Sequence, residues 1–286
     1  MRLSGRYPHM PRAKLQTVTG ALVAGVAVAI YVAERRRPMR TQRHDTVTRT
    51  VRHLFMGALC SAVISVAERP LVEALGRRAV AERRGLVQQL PFPPAARDLL
   101  AFLALDYTMY VWHVLTHKAP ALWRLHLVHH IDLDLDSTTA LRFHYADMVA
   151  SLPWRALQVG LIGASPRAWT LWQAFFYASV LFHHSNLELP EALERRLALL
   201  LTTPRMHGIH HSTVRTETHS NWSSGISWWD RLHGTFRLDT PQRVLDIGVP
   251  AYRDPDMQRV EPSLRLPFAR QRDVWDADPA ALPVRC

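Results

Sequence analysis

Imidazole side chains dominate the chemistry this chain can do. His113 and His117 stand four apart, His126, His129 and His130 follow as H-x-x-H-H, and His207, His210 and His211 repeat that spacing. Eleven of the 16 histidines lie between positions 113 and 211, with His144, His183 and His184 between the motifs. Neutral imidazole is the commonest side-chain ligand for iron, zinc, copper and nickel. On a helix, residues three and four apart share a face, so each motif can aim two rings at one ion. Neighbours such as His129 and His130 diverge by about 100° around the axis, so one H-x-x-H-H can serve two ions. A single zinc is saturated by about four ligands, yet these motifs hold eight histidines, and two metals are the simpler arrangement. The Glu-x-x-His of carboxylate-bridged di-iron bundles and the HExxH of zinc proteases are both absent. An all-imidazole pair suits redox-active iron and oxygen chemistry, while ligand counting leaves zinc and copper open.

The elements that must position these rings read as membrane helices. Thr17 to Ala33 is uncharged and ends at Glu34 and Arg35-Arg36-Arg37, a span of minimum length. A signal peptide is the rival reading, and the triple arginine directly after the run argues against cleavage. Seven arginines fall between Arg35 and Arg52, against Asp45, which places this loop on the cytoplasmic side. Leu54 to Ala67 is short for a span and is either completed through Leu75 by tilt and snorkelling or a shallow hairpin arm. Residues 76–96, ending in Pro91-Phe92-Pro93-Pro94, read as an interfacial helix and turn. Leu99 to Leu115 is the next apolar block, with Asp106 inside it and His113 and His117 at its end. Met148–Ala164 and Ala168–Phe182, split by Ser165-Pro166-Arg167, form a hairpin that ends at His183-His184. With the arginine loop inside, that topology returns both histidine-bearing helix ends to the cytoplasmic side. An amphipathic helix follows near Glu191 to Leu201, and the polar, proline-containing tail packs outside the cap.

Composition narrows the function classes. The net charge is +11, from 35 Lys and Arg against 24 Asp and Glu. The charge is mostly arginine beside apolar blocks, with no nucleic-acid-binding motif, so anionic headgroups are the expected partner rather than nucleic acid. Cys60 and Cys286 are the only cysteines. They make neither a disulfide framework nor a thiolate metal site. No haem or iron–sulfur cysteine pattern is present, so a redox centre here would draw its electrons from a separate carrier.

WHVLTH, LHLVHH, TTALRFH, FHHSN, TPRMHGIHHS and WWDRLHGTF occur in that order. Together they resemble the fatty acid hydroxylase / sterol desaturase superfamily of membrane di-iron oxidoreductases, over about residues 97–250. The resemblance implies an all-α, polytopic protein of about four to five membrane helices with a cytosolic histidine-rich di-metal cap. It implies two Fe ions, O2 as co-substrate and a cytochrome b5- or ferredoxin-like electron donor. It also implies hydroxylation or desaturation of a lipid C–H bond, on a fatty acyl, sterol-like, carotenoid or ether lipid substrate. Carried over residue by residue, the metal ligands fall on His113, His117, His126, His129, His130, His207, His210 and His211. His184 is the ninth and His144 the tenth, while His183 stands one residue early and is assigned to packing or to supporting a ligand. The expected organisation is a basic segment with the first helix at 1–53, a second hydrophobic segment with linker at 54–96, the catalytic domain at 97–235 and a polar tail at 236–286. A non-catalytic membrane metal-binding protein is the alternative from another class.

Asp106, Asp132, Asp134, Asp136 and Asp230 are candidates to hold the second ring nitrogen of a ligand, against solvated loop charge for Asp132 and Asp134. His9, His44, His53, His219 and His233 stand alone and are read as surface or interfacial. Trp112, Trp123, Trp154, Trp169 and Trp172 are read as interface belts and core. Arg142 has two candidate partners, an acid in the cap or a headgroup.

Overall fold

A computed structural model describes residues 11–273; His9 and Cys286 lie outside them. The described chain is helical, with only isolated bridges in place of sheets. The long elements are α1 (Arg12–Arg36), α2 (Thr46–Val63), which runs through a π-helical segment (Ile64–Glu68) into α3 (Arg69–Ala81), then the short α4 (Leu86–Gln89) and α5 (Pro94–Lys118). After α6 (Pro120–His130) come the hairpin α7 (Tyr145–Ile162) and α8 (Pro166–His184) and the shorter α9 (Glu191–Leu197) and α10 (Pro204–His210).

Among the described residues three stretches, 13–36, 46–89 and 94–118, are long and apolar enough to cross a membrane. The chain is an integral membrane protein on this pattern. The α7–α8 hairpin falls short of the same measure, so three spans meet it where four to five are expected. The second block also differs from its expected form. Instead of stopping near Leu75, the helix continues to Ala81: it runs through the π turn, where Arg69 N–H donates to Ile64 O five residues back, and takes up Pro70 without breaking.

Local chemistry sets the boundaries. Asp45 caps α2 by accepting from Thr48 N at 2.7 Å, and Ser165 caps α8 through Ala168 N, one residue before Pro166. Gly163 ends α7 in the left-handed region, at φ 80°. There it touches Gly85, where an added Cβ would lie 2.4 Å from the Gly163 Cα. Thr203 and Pro204 start α10, which carries the last histidine motif.

Two apolar clusters hold the halves together. One, including Val72, Ala101, Leu105, Val159 and Trp172, packs α3, α5, α7 and α8 within the membrane half. The other joins Met56, Leu127 and Ile131 to Val249, Tyr252 and Leu266 of the tail, so the tail supplies part of the cap's core rather than merely covering it. Arg142 is fully buried there and donates to Val128 O, Gln258 O and Ser263 Oγ. Its hydrogen-bond partners are carbonyls and a hydroxyl, while an acid of the cap, Asp132, acts on it through charge alone.

The ends of α1 and α8 meet. Pro38 bridges Leu187, and Asn186 accepts from Arg40 N at 2.9 Å and donates to Arg40 O at 2.7 Å. The arginine loop and the histidine-bearing helix ends therefore share one side of the molecule.

Candidate metal centre

Nine of the ten expected histidines converge at that side. His113, His117, His130 and His210 offer ring nitrogens that all lie within 4.8 Å of one another, and so do those of His129, His184, His207 and His211. His126 forms a third such group with His129 and His130, bridging the two sets. Adjacent residues divide between the sets, with His129 and His130 parting and His210 and His211 parting, as a 100° step around a helix requires.

The rings are held by backbone carbonyls more than by carboxylates. His113 Nδ1 donates to Trp222 O at 2.7 Å, His184 Nδ1 to Val180 O at 2.8 Å and His210 Nδ1 to Ser220 O at 2.9 Å. Each bond assigns the proton to Nδ1 and leaves Nε2 as a lone pair facing the cluster. Of the carboxylates, Asp147 approaches a ring, with Oδ2 3.5 Å from His126 Nδ1. It follows His144 by three residues and was not singled out from the sequence.

The donor set fits metal ions on two observations. His184 Nε2 lies 3.0 Å from both His129 Nε2 and His207 Nε2, and His207 Nε2 lies 3.1 Å from His211 Nε2. Imidazole nitrogens about 2.1 Å from one ion at right angles would stand about 3.0 Å apart. Second, Nε2 of His117, His126, His130 and His210 is buried without a hydrogen-bond partner. Natural proteins do not strand that many buried polar atoms without something to satisfy them.

Burial keeps these rings neutral and so ready to bind. It pushes His210 down to about 3, and it lowers His129, His130, His207 and His211 well below the usual histidine range, with neighbouring rings adding to the effect.

His144 is not brought to the cluster. Its Nδ1 accepts from Ala146 N at 3.0 Å to cap α7, and its Nε2 donates to Leu264 O at 3.1 Å. Both nitrogens are therefore engaged, and the expectation of a tenth ligand fails in this geometry. His183 is buried beside the cluster, its ring centroid 4.0 Å from that of His207.

The loop aspartates do other work than expected. Asp132 and Asp136 are buried and bind Arg49, at 2.8 Å each, and Asp134 accepts from Arg43 N and His44 N. Burial acts to raise the Asp132 carboxyl, but Arg49, His53 and Arg142 outweigh it and hold it well below the usual range. Asp106 accepts from Ile226 N and Trp229 Nε1, anchoring a loop where Gly225 is required, since a Cβ there would sit 2.4 Å from Asp106 Oδ1. Asp230 accepts from Trp222 N and Ser223 N and so steadies the carbonyl that holds His113.

Among the isolated histidines, His53 is buried against Asp132 and Thr138 rather than exposed. His44 meets Asp134, His219 is half-buried, and His233 is exposed and stacks on Tyr107 and Tyr110. Two tryptophans wall the cluster. Trp123 lies 4.8 Å from the His117 ring, and Trp222, unremarked in the sequence, lies 4.6 Å from it.

Beneath the histidines lies a cavity of about 440 Å³, mostly apolar, reached by His113, His126, His129, His184 and His207 at one end.

The fatty acid hydroxylase profile matches residues 99–235. An ornithine lipid hydroxylase of Rhizobium tropici is 31% identical over 159 residues, covering 55% of this chain and 47% of that protein. Human alkylglycerol monooxygenase is 26% identical over 182 residues, covering 61% of this chain and 37% of its own. A cholesterol 25-hydroxylase-like protein of Danio rerio is 31% identical over 153 residues, covering 50% and 56%. The chain thus spans between 37% and 56% of the length of these relatives. No solved structure matches it significantly.

Proposed function

We propose that this chain, whose residues 99–235 match the fatty acid hydroxylase profile, is an integral-membrane di-iron oxygenase that hydroxylates a lipid C–H bond. The observation that carries this reading is the pairing of two four-histidine groups with an apolar cavity that opens onto them. A storage or transport site needs no such cavity, and a purely apolar binding pocket needs no buried array of neutral imidazoles. The relatives, named for hydroxylation of an ornithine lipid and of cholesterol and for monooxygenation of alkylglycerol, favour insertion of oxygen over desaturation.

In this reading His113, His117, His130 and His210 hold one iron and His129, His184, His207 and His211 the other, with His126 between them. Bound iron supplies the activation of O2 and the oxidation of the C–H bond. One oxygen atom enters the C–H bond and the other leaves as water, with two electrons and two protons from a separate carrier. The protein's own part is positional. Trp222 O, Ser220 O and Val180 O fix three ring tautomers, Trp123 and Trp222 shield the cluster from water, and the cavity walls align the chain to be attacked. The arginine loop beside the cluster sets this face toward the cytoplasm by charge bias.

Replacing His129 or His210 with Ala tests the assignment. Each substitution lowers bound iron and abolishes lipid oxidation; iron content and activity that both survive either change would overturn it.

A further inference from the structure

The cavity beneath the histidines is not apolar throughout. At the end away from them it is lined by Glu68, Arg155, Gln173 and Tyr177. Glu68 and Arg155 are 3% and 9% exposed, and they sit on helices well inside the membrane half. Gln173 is 11 residues before His184 on α8, which places it ~16 Å below the histidine level at 1.5 Å per residue. Ionisable side chains at such depth are costly and face an interior with work to do.

We propose that this end of the cavity recognises one small, uncharged hydrogen-bonding group of the substrate, a hydroxyl above all, and thereby presents a carbon remote from that group to the histidines. The inference rests on the oxygenase reading and names its substrate class: a lipid whose single buried hydroxyl lies about 6–16 Å from the carbon attacked, the helix rise from Met109, which Arg155 touches, to His113 at the lower end and from Gln173 to His184 at the upper.

Four features carry it. The Glu68–Arg155 contact is long, with Nε 3.6 Å from Oε2, and Arg155 Nε is buried with no hydrogen-bond partner. A hydroxyl can accept from that Nε and donate to the Glu68 carboxylate, satisfying both. Gln173 Nε2 donates to Glu68 Oε1 at 3.4 Å and to Tyr177 Oη at 3.2 Å, which holds the acceptor in place from α8. The opposite charges of Glu68 and Arg155 balance, so a carboxylate or phosphate would bring an unmatched charge into this depth, whereas a hydroxyl would not. Finally, Glu68 closes the π-helical segment, whose Ile64 and Ser65 line the same cavity. Single wide turns of this kind recur at functional sites because they re-aim a side chain.

The test uses the full chain, iron-loaded, in nanodiscs. The probes are an ω-bromo-1-alkanol and the bromoalkane of equal length without the hydroxyl, and the readout is quenching of cavity-lining Trp112 and Trp172. The native chain binds the alkanol about tenfold more tightly, the worth of one hydrogen bond to a charged group. Gln173→Leu, and Glu68→Met combined with Arg155→Met so that no charge is stranded, bring the ratio to about one by the same reasoning, with bromoalkane binding and iron content unchanged. A native ratio near one, or a preference that survives Gln173→Leu in a chain with normal iron content, overturns the inference. Preference for the alkanol without any oxidised product would leave this assignment standing and sink the oxygenase reading instead.

Discussion

Arg49 is the side chain whose loss should most disturb the cap without touching a histidine. Its Nε and Nη2 meet both oxygens of Asp132 at 3.2 and 2.8 Å, and its Nη1 meets Asp136 at 2.8 Å. All three residues are buried, and the loop they pin follows His130 directly. Arg49→Met strands two carboxylates that keep only weaker partners, among them His53, Thr138 and Thr139. Breaking a buried charge pair from one side costs about 3–5 kcal/mol. Arg43→Met is the internal control. Its guanidinium is exposed although its partner Asp246 is buried, so its pair is worth about 0–1 kcal/mol. Denaturation in nanodiscs followed by tryptophan fluorescence measures both. The pH dependence has a definite sign. In the native chain Arg49 keeps the carboxyls of Asp132 and Asp136 low, so their contribution is present above the unfolded aspartate value of about 3.9 and persists until the pH falls through their lower folded values. Without Arg49, burial is left to raise both carboxyls, and protonation relieves the stranded charge. The deficit of Arg49→Met therefore narrows as the pH falls from about 7 to about 5. Equal losses for Arg49→Met and Arg43→Met, or a deficit that widens in acid, would refute this account of the loop.

Two further substitutions probe the centre itself. His144→Ala is expected to leave iron content unchanged and to cost about 0.5–2 kcal/mol through the lost cap of α7, as read by metal analysis and unfolding; a drop in bound iron would return His144 to the ligand set. Asp230→Ala frees the Trp222 peptide and through it the His113 ring, and iron affinity should weaken about 10–100-fold, the usual cost of losing a group that orients a ligand, measured by competition with a chelator.

The histidine motifs were legible because their meaning is local. Spacings of three and four on a helix decide which rings share a face, and the division of His129 from His130 and of His210 from His211 follows from helix geometry alone. The side of the molecule was legible for a similar reason, since helix length and arginine placement returned His184 to the level of His113. What supports the rings was not. Trp222 O, Ser220 O and Val180 O are backbone atoms, which carry no residue signature, and the carboxylates chosen by proximity in sequence are engaged elsewhere. Asp132 looked like loop charge and Asp136 like a holder of a ligand ring because their partner, Arg49, lies more than 80 residues earlier. His53 was misread for the same reason, and His144 because a histidine capping a helix cannot be told by sequence from one binding a metal. The π segment left no periodic trace, so Glu68 read as the end of a short span rather than as a side chain aimed into a cavity with Arg155.

The central claim is that two histidine-bound irons insert oxygen into a membrane lipid, and ¹⁸O2 labelling tests it most directly. Purified chain reconstituted with iron, host lipids and a reducing carrier should hold two irons and place one ¹⁸O atom in a lipid hydroxyl, with no label incorporated by His129→Ala. Iron bound at that stoichiometry while every lipid stays unlabelled, under a donor that reduces the iron, would contradict it.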